Sequence, residues 1–171
     1  KMQLRIFDKE DWQILLEAEE YFKYVQKPNK AFSDMPVCPF LKAEIEKDNL
    51  YVDIWRPDEK SFYELFYGFR DSKKDSALFI CMDTADIKWK DVERTKYQKF
   101  LQKSIKDTGL KALCLSPYED FTAAGEPTRK KAPYFLINVA SRKHFGISHK
   151  KLIDTKYFDN FSDEEKTKLK V

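Results

Sequence analysis

Ala77-Leu78-Phe79-Ile80-Cys81-Met82 is an unbroken apolar run of strand length. A strand without polar alternation is one covered on both faces, so this run reads as the central strand of a sheet. Upstream, Leu50 to Arg56 alternates, with Leu50, Val52 and Ile54 on one face, until Pro57-Asp58 breaks it. Between these strands, Ser61-Phe62-Tyr63-Glu64 is a capping box in which Ser61 and Glu64 satisfy each other's backbone N–H groups. Phe62, Leu65, Phe66 and Phe69 then mark the inner face of a helix ending near Asp71. Downstream, the spacing predicts a helix over 90–106 with Trp89, Val92, Tyr97, Phe100, Leu101 and Ile105 inward, and Gly109 just past its end. Leu110 to Leu115 is a third strand, Tyr118 to Pro133 is irregular, and Tyr134 to Val139 is a fourth strand.

At the ends of the chain, Asp8 is a candidate cap for a helix to Gln26 that turns Ile14, Leu15, Ala18, Phe22 and Val25 inward. Ser141 caps a helix carrying His144, Phe145 and His149. Ser162 precedes a last helix with Asp163, Glu164 and Glu165 in its first turn, where the dipole favours them. This order predicts an α+β fold: a single domain over 1–171, with helix 9–26, a core over 33–153 holding a small mixed four-stranded sheet, and helix 162–171. With 42% hydrophobic and 15% aromatic residues and four glycines, 171 residues suit one domain with a substantial core and argue against disorder. No apolar stretch reaches the length of a membrane span, and Lys1-Met2-Gln3 shows no signal-peptide pattern. Three cysteines outside any C-x-x-C pair argue for a reducing compartment. The chain is therefore expected to be soluble and cytoplasmic, with no membrane partner.

Met35-Pro36-Val37-Cys38-Pro39-Phe40-Leu41-Lys42 carries the first candidate chemistry. Proline suits the first position of a helix over 39–47, which places Cys38 at the N-cap. There the free N–H groups and the dipole favour an anion, so the thiol is expected to ionise readily, with Lys42 adding charge nearby. The competing reading is a small buried hydrophobe at a helix start. Cys81 and Cys114 read as buried strand residues without a role.

Charge is unevenly placed. From Pro127 to Ile153 the chain holds Arg129, Lys130, Lys131, Arg142, Lys143, Lys150 and Lys151 and no acid, a segment of +7 against −4 for the remainder of a chain of net charge +3. Such a segment attracts an anionic ligand, or is simply a solvated basic face. Nucleic acid is not expected, because the net charge is modest and no recognition motif is present. His144 and His149 are five residues apart and point in different directions from one helix, which disfavours a paired metal site. No spacing of Cys and His suggests zinc. A heme needs only one strong axial ligand, typically His or Cys. A Cys38–His144 nucleophile pair is also conceivable, and Glu119, Asp120 and Glu126 supply carboxylates in the irregular loop.

Ser33-Asp34-Met35-Pro36-Val37-Cys38-Pro39-Phe40, followed by a strand, resembles the opening of small bacterial proteins with a Cys-Pro-Phe motif, whose later Pro-Tyr-Pro strand is similar to Pro133-Tyr134-Phe135. The succession Ala124-Gly125-Glu126-Pro127, Pro133-Tyr134-Phe135-Leu136-Ile137-Asn138, then His144 before Ser148-His149-Lys150 resembles the YqcI/YcgG family, which includes heme-dependent N-hydroxylases. This resemblance implies a heme-dependent oxygenase that N-hydroxylates a small amine or guanidino compound. His144, or in second place His149, would be the axial ligand of the heme iron, with Cys38 near the pocket as a ligand or a wall. Arg129, Lys130, Arg142 and Lys143 would pair with the propionates, and Glu119 or Asp120 would hold a cationic substrate group. Two other readings stay open: a non-catalytic protein that binds an anionic small molecule or partner through 127–153, and a thiol enzyme using Cys38. The oligomeric state is open, a homodimer included.

Overall fold

Among the described residues, four of the six helices start behind a side chain that accepts a first-turn N–H. α1 (Asp11–Val25) leaves from Glu10, and α2 (Pro39–Glu46) has its proline in the first turn behind Cys38. α3 (Phe62–Ser72) begins at Ser61, whose Oγ accepts the Glu64 N–H at 3.2 Å. α4 (Arg94–Ser104) begins at Glu93, whose Oε2 accepts the Lys96 N–H at 2.6 Å. α5 (Arg142–Ile153) and α6 (Asp163–Leu169) begin at Ser141 and Ser162, which accept from His144 and Glu165 at 2.9 and 3.2 Å. The computed structural model describes residues 10–119, 122–123, 126–127 and 132–171, so the expected Asp8 cap lies outside the described residues. Among the described residues no helix is long and apolar enough to cross a membrane.

Two-residue strands β1 (Pro28–Asn29) and β2 (Met35–Pro36) pair ahead of α2. The main sheet comprises β3 (Leu50–Trp55), β4 (Ser76–Cys81), β5 (Leu110–Leu115) and β8 (Phe135–Ser141), in the order β3-β4-β8-β5. β3 runs parallel to β4, and β8 is antiparallel to both β4 and β5, so the sheet is mixed. The loop between β5 and β8, expected to be irregular, holds a small pairing of β6 (Thr122–Ala123) with β7 (Glu126–Pro127). The α+β class and the four-stranded mixed sheet are as the sequence predicts.

Every residue of β4 is buried. Ala77, Phe79 and Cys81 face a core with Leu65, Phe66 and Phe69 of α3, Leu101 of α4, and Ile105 and Trp89. Leu78 and Ile80 face the other way, into a second core with Ile14, Ala18, Tyr21 and Val25 of α1. The two-residue period of the strand distributes its side chains between the two layers. A third cluster, which sequence patterning does not reveal, joins the chain ends: Phe32 packs with Tyr157, Phe158 and Phe161. Tyr157 Oη donates to the Val37 carbonyl at 2.6 Å, and Asn160 Nδ2 to the Lys30 carbonyl at 3.0 Å.

Several details differ from expectation. In α1, Leu15 is exposed and Tyr21 is buried, so the buried stripe is rotated toward Tyr21. In β3, Leu50 and Ile54 pack inward but Val52 lies partly open, and the most buried residue is Trp55 on the opposite face. The helix expected from Lys90 instead splits into a single turn at Trp89–Asp91 and α4. The Trp89 N–H donates to Asp83 Oδ1 at 2.9 Å and its indole Nε1 to the Met82 carbonyl at 2.9 Å, which fixes that turn to the end of β4. Phe100, expected inward, is 61% exposed. Gly109 adopts φ +73° in the turn before β5, a conformation glycine takes without a Cβ clash.

The first core buries three groups in their neutral forms. Burial pushes the Cys114 thiol up to about 12, moderated by Arg94, and raises Cys81 through burial and then Cys114. Burial also raises Tyr97. A folded-state value above the unfolded one contributes stability that is complete below the unfolded value and is lost as pH rises. Here the unfolded thiol titrates near 9 and folded Cys114 near 12. Urea unfolding is therefore expected to show stability falling between pH 9 and 11, and falling less for Cys81→Ala/Cys114→Ala. A flat wild-type curve, or equal slopes for the two proteins, would contradict this.

Candidate functional site

α2 links two of the candidate regions. Cys38 sits at its N-cap as the sequence predicts, extended at φ −128° and ψ 85°, with its N–H donated to the Val25 carbonyl at 2.9 Å. Its thiol is exposed, which removes the reading of a buried hydrophobe. Flanking Val37 and Leu41 pack into the second core and fix the helix against the sheet. Lys42 does not direct its charge toward Cys38. Its Nζ lies 3.8 Å from Glu46 Oε1, one turn further along α2.

The other end of α2 meets His144. Glu44, with a side chain 12% exposed, places Oε1 at 3.8 Å from His144 Nε2, an ion pair whenever the imidazole is protonated. The second oxygen of Glu44 accepts from Asn49 Nδ2 at 2.8 Å. Asn49 Nδ2 also lies 3.1 Å from Asp75 Oδ2, while Asn49 Oδ1 accepts the Asp75 N–H at 3.0 Å. These contacts fix the Glu44 carboxylate, which lies near the imidazole but beyond hydrogen-bond distance of it. They also join the end of α2, the starts of β3 and β4, and the start of α5. His149 takes a different direction. Its ring meets Phe158 at 6.1 Å and 64°, beside the cluster that joins the chain ends.

The remaining candidates do not converge on His144. Arg94 Nε donates to Glu119 Oε2 at 2.7 Å, just beyond the C-terminal end of β5. His144 follows Ser141, which pairs with Leu110 at the opposite end of that strand. The six residues of β5 separate the two by about 17–20 Å at roughly 3.3 Å per residue. Cys38 and Glu44 are six residues apart on α2, about 9 Å along its axis. Asp120, Arg129 and Lys130 lie outside the described residues. Arg142 and Lys143 are exposed in the first turn of α5, next to His144. Among the described residues no three His, Cys, Asp or Glu side chains group as metal ligands.

These surroundings fit a heme poorly. The Nε2 atom that would meet iron faces a carboxylate, and the groups behind that carboxylate are an amide and a second acid. A porphyrin instead requires apolar walls on both faces. Glu44, Asn49 and Asp75 were not legible as site residues, since nothing local to 44–75 signals a partner at 144. One further polar atom stands out: Asn138 Oδ1 on β8 is buried and has no hydrogen-bond partner among the described residues.

No family model, curated protein or solved structure matches the chain, so the site is read from its own geometry. That geometry defines an α+β domain with a histidine near a fixed carboxylate beside a cationic helix start, and a separate exposed cysteine.

Two outcomes test this geometry. A thiol reagent is expected to modify one cysteine rapidly in the native protein, Cys38, and all three after unfolding. Rapid modification of two or more in the native state would contradict the burial of Cys81 and Cys114. Added hemin is expected to give no Soret band that depends on His144, whereas a sharp band lost in His144→Ala would restore an axial role.

Proposed function

We propose that the chain binds a small anionic ligand at the N-terminal turn of α5. The observation that carries this reading is the charge of that helix. Its twelve residues include Arg142, Lys143, Lys150 and Lys151, all exposed, and no acid. Lys150 and Lys151 stand in the last turn, where the dipole favours cations. Arg142 and Lys143 stand in the first, where it opposes them. α1, α3 and α6 carry acids in their first turns, whereas α4 opens on Arg94 behind the capping Glu93 and α5 has no acid at or near its start. Two cations at the positive end of a helix gain from a bound anion, and each costs about 0.3–1 kcal/mol without one.

Binding at this turn relies on side chains. The Arg142 N–H donates to the Gly109 carbonyl at 2.9 Å, and the His144 N–H is held by Ser141. His144, one residue after Lys143 on the same turn and 3.8 Å from Glu44, stands beside the bound anion.

Calorimetric titration with inorganic phosphate and with citrate at low ionic strength tests the proposal. Arg142→Glu/Lys143→Gln is expected to weaken binding at least about tenfold while raising the melting temperature of the ligand-free protein. Absence of binding to either anion, or equal binding by the variant, would reject the reading.

A further inference from the structure

α3 and α4 lie side by side on the sheet face opposite α1, and a groove of about 390 Å³ runs between them. Phe62, Phe66 and Ile105 give it an apolar lining, and Tyr63, Tyr67 and Arg70 form its α3 wall. Tyr63 and Tyr67 are one helical turn apart and are 59% and 63% exposed. On the other side Ser104 lines the groove, and Phe100, one turn earlier on the same helix, stands 61% exposed. Lys96 and Lys103 are four residues before and three after Phe100, so all three share one face of α4, and Lys99 lies next to them. The net charge of +3 hides this local field: 94–106 holds five cations and no acid between the flanking Glu93 and Asp107, and with Arg94 paired to Glu119 it is Lys96, Lys99, Lys103 and Lys106 that carry it.

We propose that this groove binds single-stranded nucleic acid, with bases stacked on Tyr63, Tyr67 and Phe100 and phosphates held by Arg70, Lys96, Lys99 and Lys103. Exposed aromatic faces beside a helix face rich in lysine are what an unpaired strand uses, since every base offers a face to stack and every linkage a charge. A duplex hides its bases and makes no use of such rings. An acidic helix of a partner protein would seat aliphatic side chains in the groove. It would leave unexplained why the rings on its rim stand out into solvent. This site lies on the other face of the sheet from α1 and does not depend on anion binding at α5.

Fluorescence anisotropy with labelled dT15 and rU15 at 50 and 200 mM NaCl tests the proposal. Tyr67→Ala and Phe100→Ala are each expected to weaken binding about tenfold. Neither should change the melting temperature, because both rings stand outside the core. The triple variant Lys96→Gln/Lys99→Gln/Lys103→Gln is expected to lower the slope of log affinity against log salt by about 2, at about 0.7 per lost phosphate contact. Arg142→Glu/Lys143→Gln should bind both strands as the wild type does, which separates this site from the one on α5. The proposal is overturned if neither strand binds at 50 mM salt. It is also overturned if the aromatic variants bind as tightly as wild type, which would leave a patch for any polyanion, or if an acidic amphipathic peptide displaces the strand and binds more tightly than it.

Discussion

Six consecutive buried residues, Ser76 to Cys81, need partners in four directions at once. β3 and β8 satisfy the backbone of β4 on its two edges. α3, α4 and Trp89 cover one face, and α1 covers the other. An unpaired edge or an open face at this strand would leave buried amides or apolar side chains against water. Placing antiparallel β8 between β4 and β5 meets the requirement, because the chain returns from β5 through a long connection and enters the gap. The same placement puts Ser141 and α5 at the end of the sheet where β3 and β4 begin, and Glu119 at the end where β5 stops.

Features set by neighbouring residues were legible in the sequence. Ser61, Ser141 and Ser162 each cap the helix expected of them, and Pro39 starts α2, because a cap depends only on the next three residues. The β4 run declared its burial through composition alone. Errors begin where a distant partner decides. Trp89 looks like the first inward residue of a long helix, yet its hydrogen bonds to Met82 and Asp83 hold it in a separate turn and delay α4 to Arg94. Tyr21 and Phe22 are equally apolar neighbours, and only the position of α1 over the sheet selects Tyr21.

The site was harder to read for the same reason. Cys38 and His144 are each recognisable as reactive residue types, but sequence does not say which end of α2 His144 meets. Glu44 takes that place, held by Asn49 and Asp75, and Glu119 is drawn instead to Arg94. Asn49 was legible as a helix stop. Its bridging of Glu44 and Asp75 depends on β3 and β4 starting side by side, which is a property of the sheet.

Positions that violate local preference are informative where neighbouring elements of the same chain obey it. α6 places three acids in its first turn and α1 places Asp11 there, whereas α5 places Arg142 and Lys143 against its own dipole. α4 turns Phe100 outward from a helix whose other large apolar residues face the core. Neither arrangement is required by the fold, since the sheet is covered without either. A cation at a helix start lowers helix stability, and an exposed ring leaves apolar area in water. Folding alone therefore gives no reason for these residue types, whereas a ligand bearing negative charge at one place and a flat face at the other would convert both costs into binding free energy.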